Sequence, residues 1–202
     1  MTEIPFLANH GELSFRWIHF VAGVLWIGLL YFFNWVNGPF AATMDAETKK
    51  KVVPELMPRA LYFFRWGAAW TWVTGATLLV LLYYFGKGSA GPIYYGPDSG
   101  LGGTNPPFGV WIMPFAVILA GFPIYDILFK TLGAKQLPLA TVIWGGLAVA
   151  FAWLLSEQWD CSGRATFIHI GGFFGTTMAA NVWMRIWPAQ KRIITAIKSG
   201  QA

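Results

Sequence analysis

The sequence predicts an all-α fold, a polytopic transmembrane helix bundle of five helices. Three observations carry this. Hydrophobic residues make up 56% of the 202 and charged residues only 11%, against about 25% charged in a water-soluble domain. The mean hydropathy is +0.51. The apolar residues gather into runs close to the roughly 20 residues that cross a hydrocarbon core as a helix. The length suits a single domain.

The predicted spans are 17–36, 61–85, 109–128, 137–155 and 166–187. The N-terminal stretch MTEIPFLANHGELS carries two acids and no Lys or Arg. That is the wrong charge for the start of a signal peptide, so the first run reads as a retained helix. Between spans one and two, AATMDAETKKKVVPELMPRA predicts a short surface helix begun by Asp45 and stopped before Pro54. Between spans two and three, residues 86–108 form a Gly/Pro-rich loop with turn signals throughout. Loops of this length are often functional or serve as docking surfaces. The tail, 188–202, is basic and weakly amphipathic, which suits a position along lipid head groups.

Charge placement gives orientation. Of the 14 Lys and Arg residues, eleven fall on the side that holds Lys49, Lys50, Lys51, Arg59, Lys130, Lys135 and the tail. Arg16, Lys87 and Arg164 fall on the other. The expected topology has a periplasmic N-terminus and loop and a cytoplasmic C-terminus, in a bacterial inner membrane. The net charge of +5 follows from this asymmetry and argues for no nucleic-acid partner. A single Cys, Cys161, excludes an intrachain disulfide, and no CxxCH is present for c-type haem attachment. Trp17, Trp111, Trp159 and Trp187 near span ends suit an aromatic belt.

Two histidines, in RWIHF and RATFIHIGG, stand out. His19 lies about one turn inside the outer end of span one, and His169 the same distance inside span five. One turn is about 5.4 Å, so both fall at similar depth. Neutral imidazole is a common axial ligand of haem iron, and haem b is the cofactor this pattern suggests. Gly23 follows His19 at i+4 and Gly172 follows His169 at i+3, with Ala22, Gly171 and Gly175 nearby; small residues let a flat ring slide between helices. Arg16 precedes His19 by three residues and Arg164 precedes span five. Their fork-shaped donors suit haem propionates. Phe20, Trp26, Phe167 and Phe173 supply a candidate apolar shell. The plainer reading keeps the glycines as helix-packing sites and the histidines as interfacial hydrogen-bonders. A copper or zinc site with His10 as a third nitrogen is a further alternative.

Near the other face, Arg65 and Asp126 fall at similar depth in spans two and three. An isolated charge there is costly, so a pair is expected. Its role is a structural salt bridge or, with Tyr125 nearby, a proton path or quinone head-group pocket.

The stretches RWIHFVAGVLWIGLLYFFNWVNGPFAATMD, VVPELMPRALYFFRWGAAWTWVTGATLLVLLYY and FIHIGGFFGTTMAANVWMRIWPAQKRII resemble the urate oxidase N-terminal family, the membrane domain of PuuD-type bacterial urate hydroxylases. The resemblance implies an oxidoreductase. The longer members of that family end in a cytochrome c domain and are thought to pass electrons from urate oxidation into the respiratory chain. This sequence is short and carries no cytochrome c motif. The first span is also similar in style to the copper-resistance CopD type and the HemJ-type protoporphyrinogen oxidases, which associates an early histidine with haem. The leading expectation is a b-type haem electron-transfer subunit of a respiratory or photosynthetic membrane assembly. Its partners would be the lipid bilayer, a larger membrane complex or a homo-oligomer, and a periplasmic cytochrome c or a quinone. The alternatives are a urate hydroxylase-like oxidoreductase domain and a cofactor-free structural subunit.

Overall fold

The computed structural model describes residues 3–84, 108–159 and 161–200. Most of the expected 86–108 loop lies outside the described residues, which contain helices and no strand. In chain order the helices are α1 (Glu3–Tyr31), α2 (Gly38–Thr43), α3 (Ala46–Leu79), α4 (Phe108–Thr131), α5 (Leu137–Trp153), α6 (Gly163–Asn181) and α7 (Trp187–Ser199). Widened π-helical turns at Phe32–Asn37, Val80–Tyr84, Leu154–Gln158 and Val182–Ile186 extend α1, α3, α5 and α6.

Four helical segments among the described residues are long and apolar enough to cross a membrane: His10–Thr43, Ala46–Tyr84, Ile112–Thr131 and Leu137–Gln158. They cover the first four predicted spans. The expected fifth is also continuous helix, α6 and its π turn, but it is not among those four. Its glycines, threonines, Asn181 and Arg185 lower its hydropathy. Large apolar side chains face outward, Val142 at 70% and Val149 at 71% exposure. Such surface is costly in water and suits lipid.

The chain divides into two compact units. One comprises Met1–Phe15 and Gly75–Met178. Its core is built from Leu79, Leu82, Tyr83, Ile118, Phe151, Leu155 and Phe173. The Phe173 ring stacks on Trp144 at 4.9 Å and tilts against Phe151 at 5.5 Å. Gly121 lets α4 approach that ring: an added Cβ would stand 2.8 Å from its Cε2 and 3.2 Å from Thr177 Oγ1.

The other unit comprises Arg16–Thr74 and Ala179–Ala202. Val53, Met57, Leu61, Phe64 and Ala68 recur at intervals of four and three residues along α3 and line its core with Trp26, Val182 and Trp187. This stripe explains a departure from the sequence reading. The helix begun at Asp45 does not stop before Pro54 but runs through Pro54 and Pro58 into the second span. Each proline removes one backbone hydrogen bond, yet the buried stripe passes both without a break. The apolar positions of α7 are used in the same way. Trp187 and Ile194 pack into this core with Val53, where the sequence suggested contact with head groups. Gly200, at φ 75°, ends α7 in the left-handed conformation that favours glycine.

Asp45 caps α3. Its carboxylate accepts the Thr48 backbone N–H at 2.9 Å and the Thr48 hydroxyl at 2.8 Å. These bonds, the backbone one foremost, hold its pKa below the ordinary 3.8. A depressed carboxyl stabilises the fold fully above its ordinary pKa and ceases to do so as pH falls through the lower folded value. Protection of the Thr48 amide, taken relative to its intrinsic exchange rate at each pH, should therefore fall on acidification below pH 3.8. In Asp45→Asn, whose side chain caps without titrating, that acid dependence should vanish. A second prediction concerns Gly121→Ala, which should destabilise the protein by about 1–3 kcal/mol through overpacking in thermal unfolding. Gly145→Ala, where an added Cβ meets nothing within 4 Å, should leave stability unchanged or raised.

Candidate functional site

The two histidines are held in different ways. His19, on α1, is half-buried. Its Nδ1 lies 2.9 Å from the Thr71 carbonyl oxygen and 3.2 Å from Thr74 Oγ1. A carbonyl can only accept, so the neutral ring carries its proton on Nδ1. Thr74 is 1% exposed, and its hydroxyl donates to the Trp70 carbonyl at 2.6 Å. Gly23 faces Thr71 at ordinary contact distance, 3.8 Å from an added Cβ to Thr71 Cγ2. Tighter packing of α1 on α3 occurs at Gly67, where a Cβ would stand 3.3 Å from the Trp26 backbone nitrogen and 3.4 Å from the Ala22 carbonyl oxygen.

His169, on α6, is fully buried, with 0% exposure. Its Nδ1–H donates to the Ala165 carbonyl at 2.7 Å. Its Nε2 lies 3.0 Å from the Tyr84 hydroxyl. With the proton on Nδ1, the Tyr84 O–H donates to the Nε2 lone pair. Tyr83 stands edge-on to the imidazole at 5.8 Å and Tyr84 lies tilted at 5.7 Å. Successive residues of an α-helix do not share a face. Here both belong to the π turn Val80–Tyr84, and both rings reach the same imidazole.

The other expected residues are placed as follows. Arg16 and Arg164 are exposed. Gly172 is covered: an added Cβ would stand 3.3 Å from Ile118 Cδ1 and 3.8 Å from Leu79 Cδ2. The glycines of α6 that face open space are Gly163, Gly171 and Gly175. The suggested apolar shell is largely displaced. Phe20 is 62% and Phe167 79% exposed, while Trp26 and Phe173 belong to the cores. Around His169 the tyrosines take their place. Asp126 pairs with Lys130 one turn along α4 at 2.8 Å. The Arg65 guanidinium lies 4.0 Å from the Trp187 ring centre and 5.6 Å from those of Tyr62 and Trp183. Among the described residues no three of His, Cys, Asp and Glu gather into a metal-binding group.

Tyr84 and the Thr71–Thr74 pair were not singled out from the sequence. The signal for the threonines was their spacing of three within an apolar span, WTWVTGAT. For Tyr84 it was a tyrosine pair closing the same span.

Helices long and apolar enough to span a membrane, with polar groups bonded inward, define this chain as a helical membrane protein. The urate oxidase N-terminal family matches residues 44–202, and the chain belongs to that family. The matched stretch contains His169 and Tyr84; His19 precedes it. No curated protein and no solved structure matches the chain.

The Tyr84 hydroxyl is the donor to His169 Nε2, so its removal strands a buried lone pair. Tyr84→Phe should cost about 1–3 kcal/mol in denaturant unfolding.

Proposed function

We propose that this chain is a b-type haem membrane protein of the urate oxidase N-terminal family that carries electrons, with His19 and His169 as iron ligands through Nε2. One observation carries the reading. Both rings give their Nδ1–H to a backbone carbonyl, Thr71 for His19 and Ala165 for His169, which leaves Nε2 with its lone pair. Such a bond orients a ligating imidazole and raises its basicity. The donor chemistry of both residues therefore fits haem. At His169 the fit requires the Tyr84 hydroxyl to leave Nε2.

Haem iron, when bound, supplies a one-electron couple whose potential depends on its ligands, burial and nearby charge. The protein's part is to hold the imidazoles in one tautomer, keep the surroundings apolar and exclude water. Arg16 and Arg164 would offer guanidinium forks to the propionates. In this reading α6 with its π turn is a fifth span. The N-terminus faces the periplasm of a bacterial inner membrane, and the electron partner is a periplasmic cytochrome c or a quinone within a larger assembly.

Family membership favours a second reading, the membrane domain of a urate hydroxylase-like oxidoreductase. Both predict redox activity, and they part on whether urate is consumed.

Purified protein prepared with haem available should give a reduced-minus-oxidised spectrum with a sharp α-band, as low-spin bis-imidazole haem does. His19→Ala and His169→Ala should each remove it while leaving the helical circular-dichroism signal. A flat spectrum from folded wild-type protein would exclude the haem reading. Urate-dependent reduction of an added electron acceptor would select the second.

A further inference from the structure

Arg65 is the one cation that the apolar part of α3 carries. The helical segment Ala46–Tyr84 has 39 residues, about 58 Å long, roughly twice the hydrocarbon thickness. Apart from Arg65, its charged residues, Glu47 to Arg59, lie at the N-terminal end, so the membrane-embedded part begins near Leu61. Arg65 then falls one turn inside the boundary on the basic side, within reach of the lipid phosphate layer.

The surroundings of Arg65 are built but incomplete. The Trp183 indole N–H donates to the Arg65 carbonyl at 3.0 Å, which fixes one wall. Trp187 covers the guanidinium at 4.0 Å, and Tyr62 and Trp183 close two more sides at 5.6 Å. Trp66 meets Trp183 edge-on at 5.5 Å and braces it. Stacked rings interact with the face of a guanidinium, whereas its N–H donors lie in the plane and point past them. No carboxylate among the described residues pairs with Arg65; its Nε is buried without an acceptor, which leaves the two terminal nitrogens as the donors a ligand can reach. One turn beyond Trp187, on the same face of α7, stands the exposed Lys191.

We propose that Arg65 and Lys191 form a binding site for the phosphodiester of an anionic phospholipid in the leaflet on the basic side. The aromatic walls hold the guanidinium fork in one orientation, and a phosphate accepts two of its N–H bonds at once. Lys191 meets the outer, solvated side of the head group. A protein carboxylate is the other natural occupant of such a fork, but Glu47 and Glu55 are engaged with Lys51 and Arg59. This site does not depend on haem.

Native mass spectrometry of the full chain in detergent tests the assignment, with phosphatidylglycerol, phosphatidylcholine and inorganic phosphate as separate titrants. The wild type should bind one phosphatidylglycerol roughly tenfold more tightly than phosphatidylcholine. Arg65→Lys keeps the charge but loses the fork and should weaken phosphatidylglycerol binding several-fold, whereas Lys191→Gln loses the second cation and should remove most of the preference. Inorganic phosphate should not displace the lipid. Equal affinity for the two lipids, an unchanged phosphatidylglycerol affinity in Arg65→Lys, an unchanged preference in Lys191→Gln, or displacement by inorganic phosphate would overturn the proposal. Should Arg65→Lys fail to fold, Lys191→Gln at its exposed position decides the matter by the same readout.

Discussion

Hydrocarbon offers no hydrogen bonds, so the polar groups taken into this fold are satisfied mainly by the helices themselves, with Arg65 Nε and Thr166 Oγ1 the buried exceptions among the described residues. The threonines bond back into their own helices: Thr71 to Gly67, Thr74 to Trp70 and Thr177 to Phe173. The histidines follow the same rule with one ring nitrogen each. His19 reaches across to α3, whereas His169 bonds to the carbonyl one turn earlier on α6. The constraint that lets the chain live in a membrane is thus also the one that sets the tautomer of both imidazoles.

The two rings differ in what their second nitrogen meets. Among the described residues no protein group bonds to His19 Nε2, and the ring is half-buried. His169 Nε2 is bonded to Tyr84 in a site with no exposure. Substitution at the two positions therefore disturbs the protein unequally. A change at His19 leaves one carbonyl seeking another donor, while a change at His169 opens a void and strands a phenol.

Much of the architecture was legible in the sequence because it follows from composition and run length. The first four apolar runs are helices long enough to span, and Asp45 begins α3 as its side chain suggested. The histidines were legible as rare polar residues in apolar surroundings. What escaped depends on contacts far apart in sequence or on local winding. The prolines of α3 looked like a stop because propensity is local, while the buried stripe that overrides them is a tertiary feature. Phe20 and Phe167 were placed beside the histidines by nearness in sequence, yet their side chains point outward. Arg65 was expected to need a carboxylate, but indole and phenol faces surround it. Tyr84 could not be assigned to His169 because ordinary helical periodicity sends neighbouring tyrosines to different sides.

That last point has a consequence for length variation. A π turn holds one residue more than the α-helical turn it replaces, so it absorbs an inserted residue without breaking the helix. At Val80–Tyr84 the wider winding changes the directions in which Tyr83 and Tyr84 leave the helix relative to an unbroken α-helix. Loss of a single residue there would restore ordinary winding and turn the phenol away from the imidazole, with no change in the chemistry of either side chain. The pairing of Tyr84 with His169 is therefore encoded in a residue count as much as in residue identity.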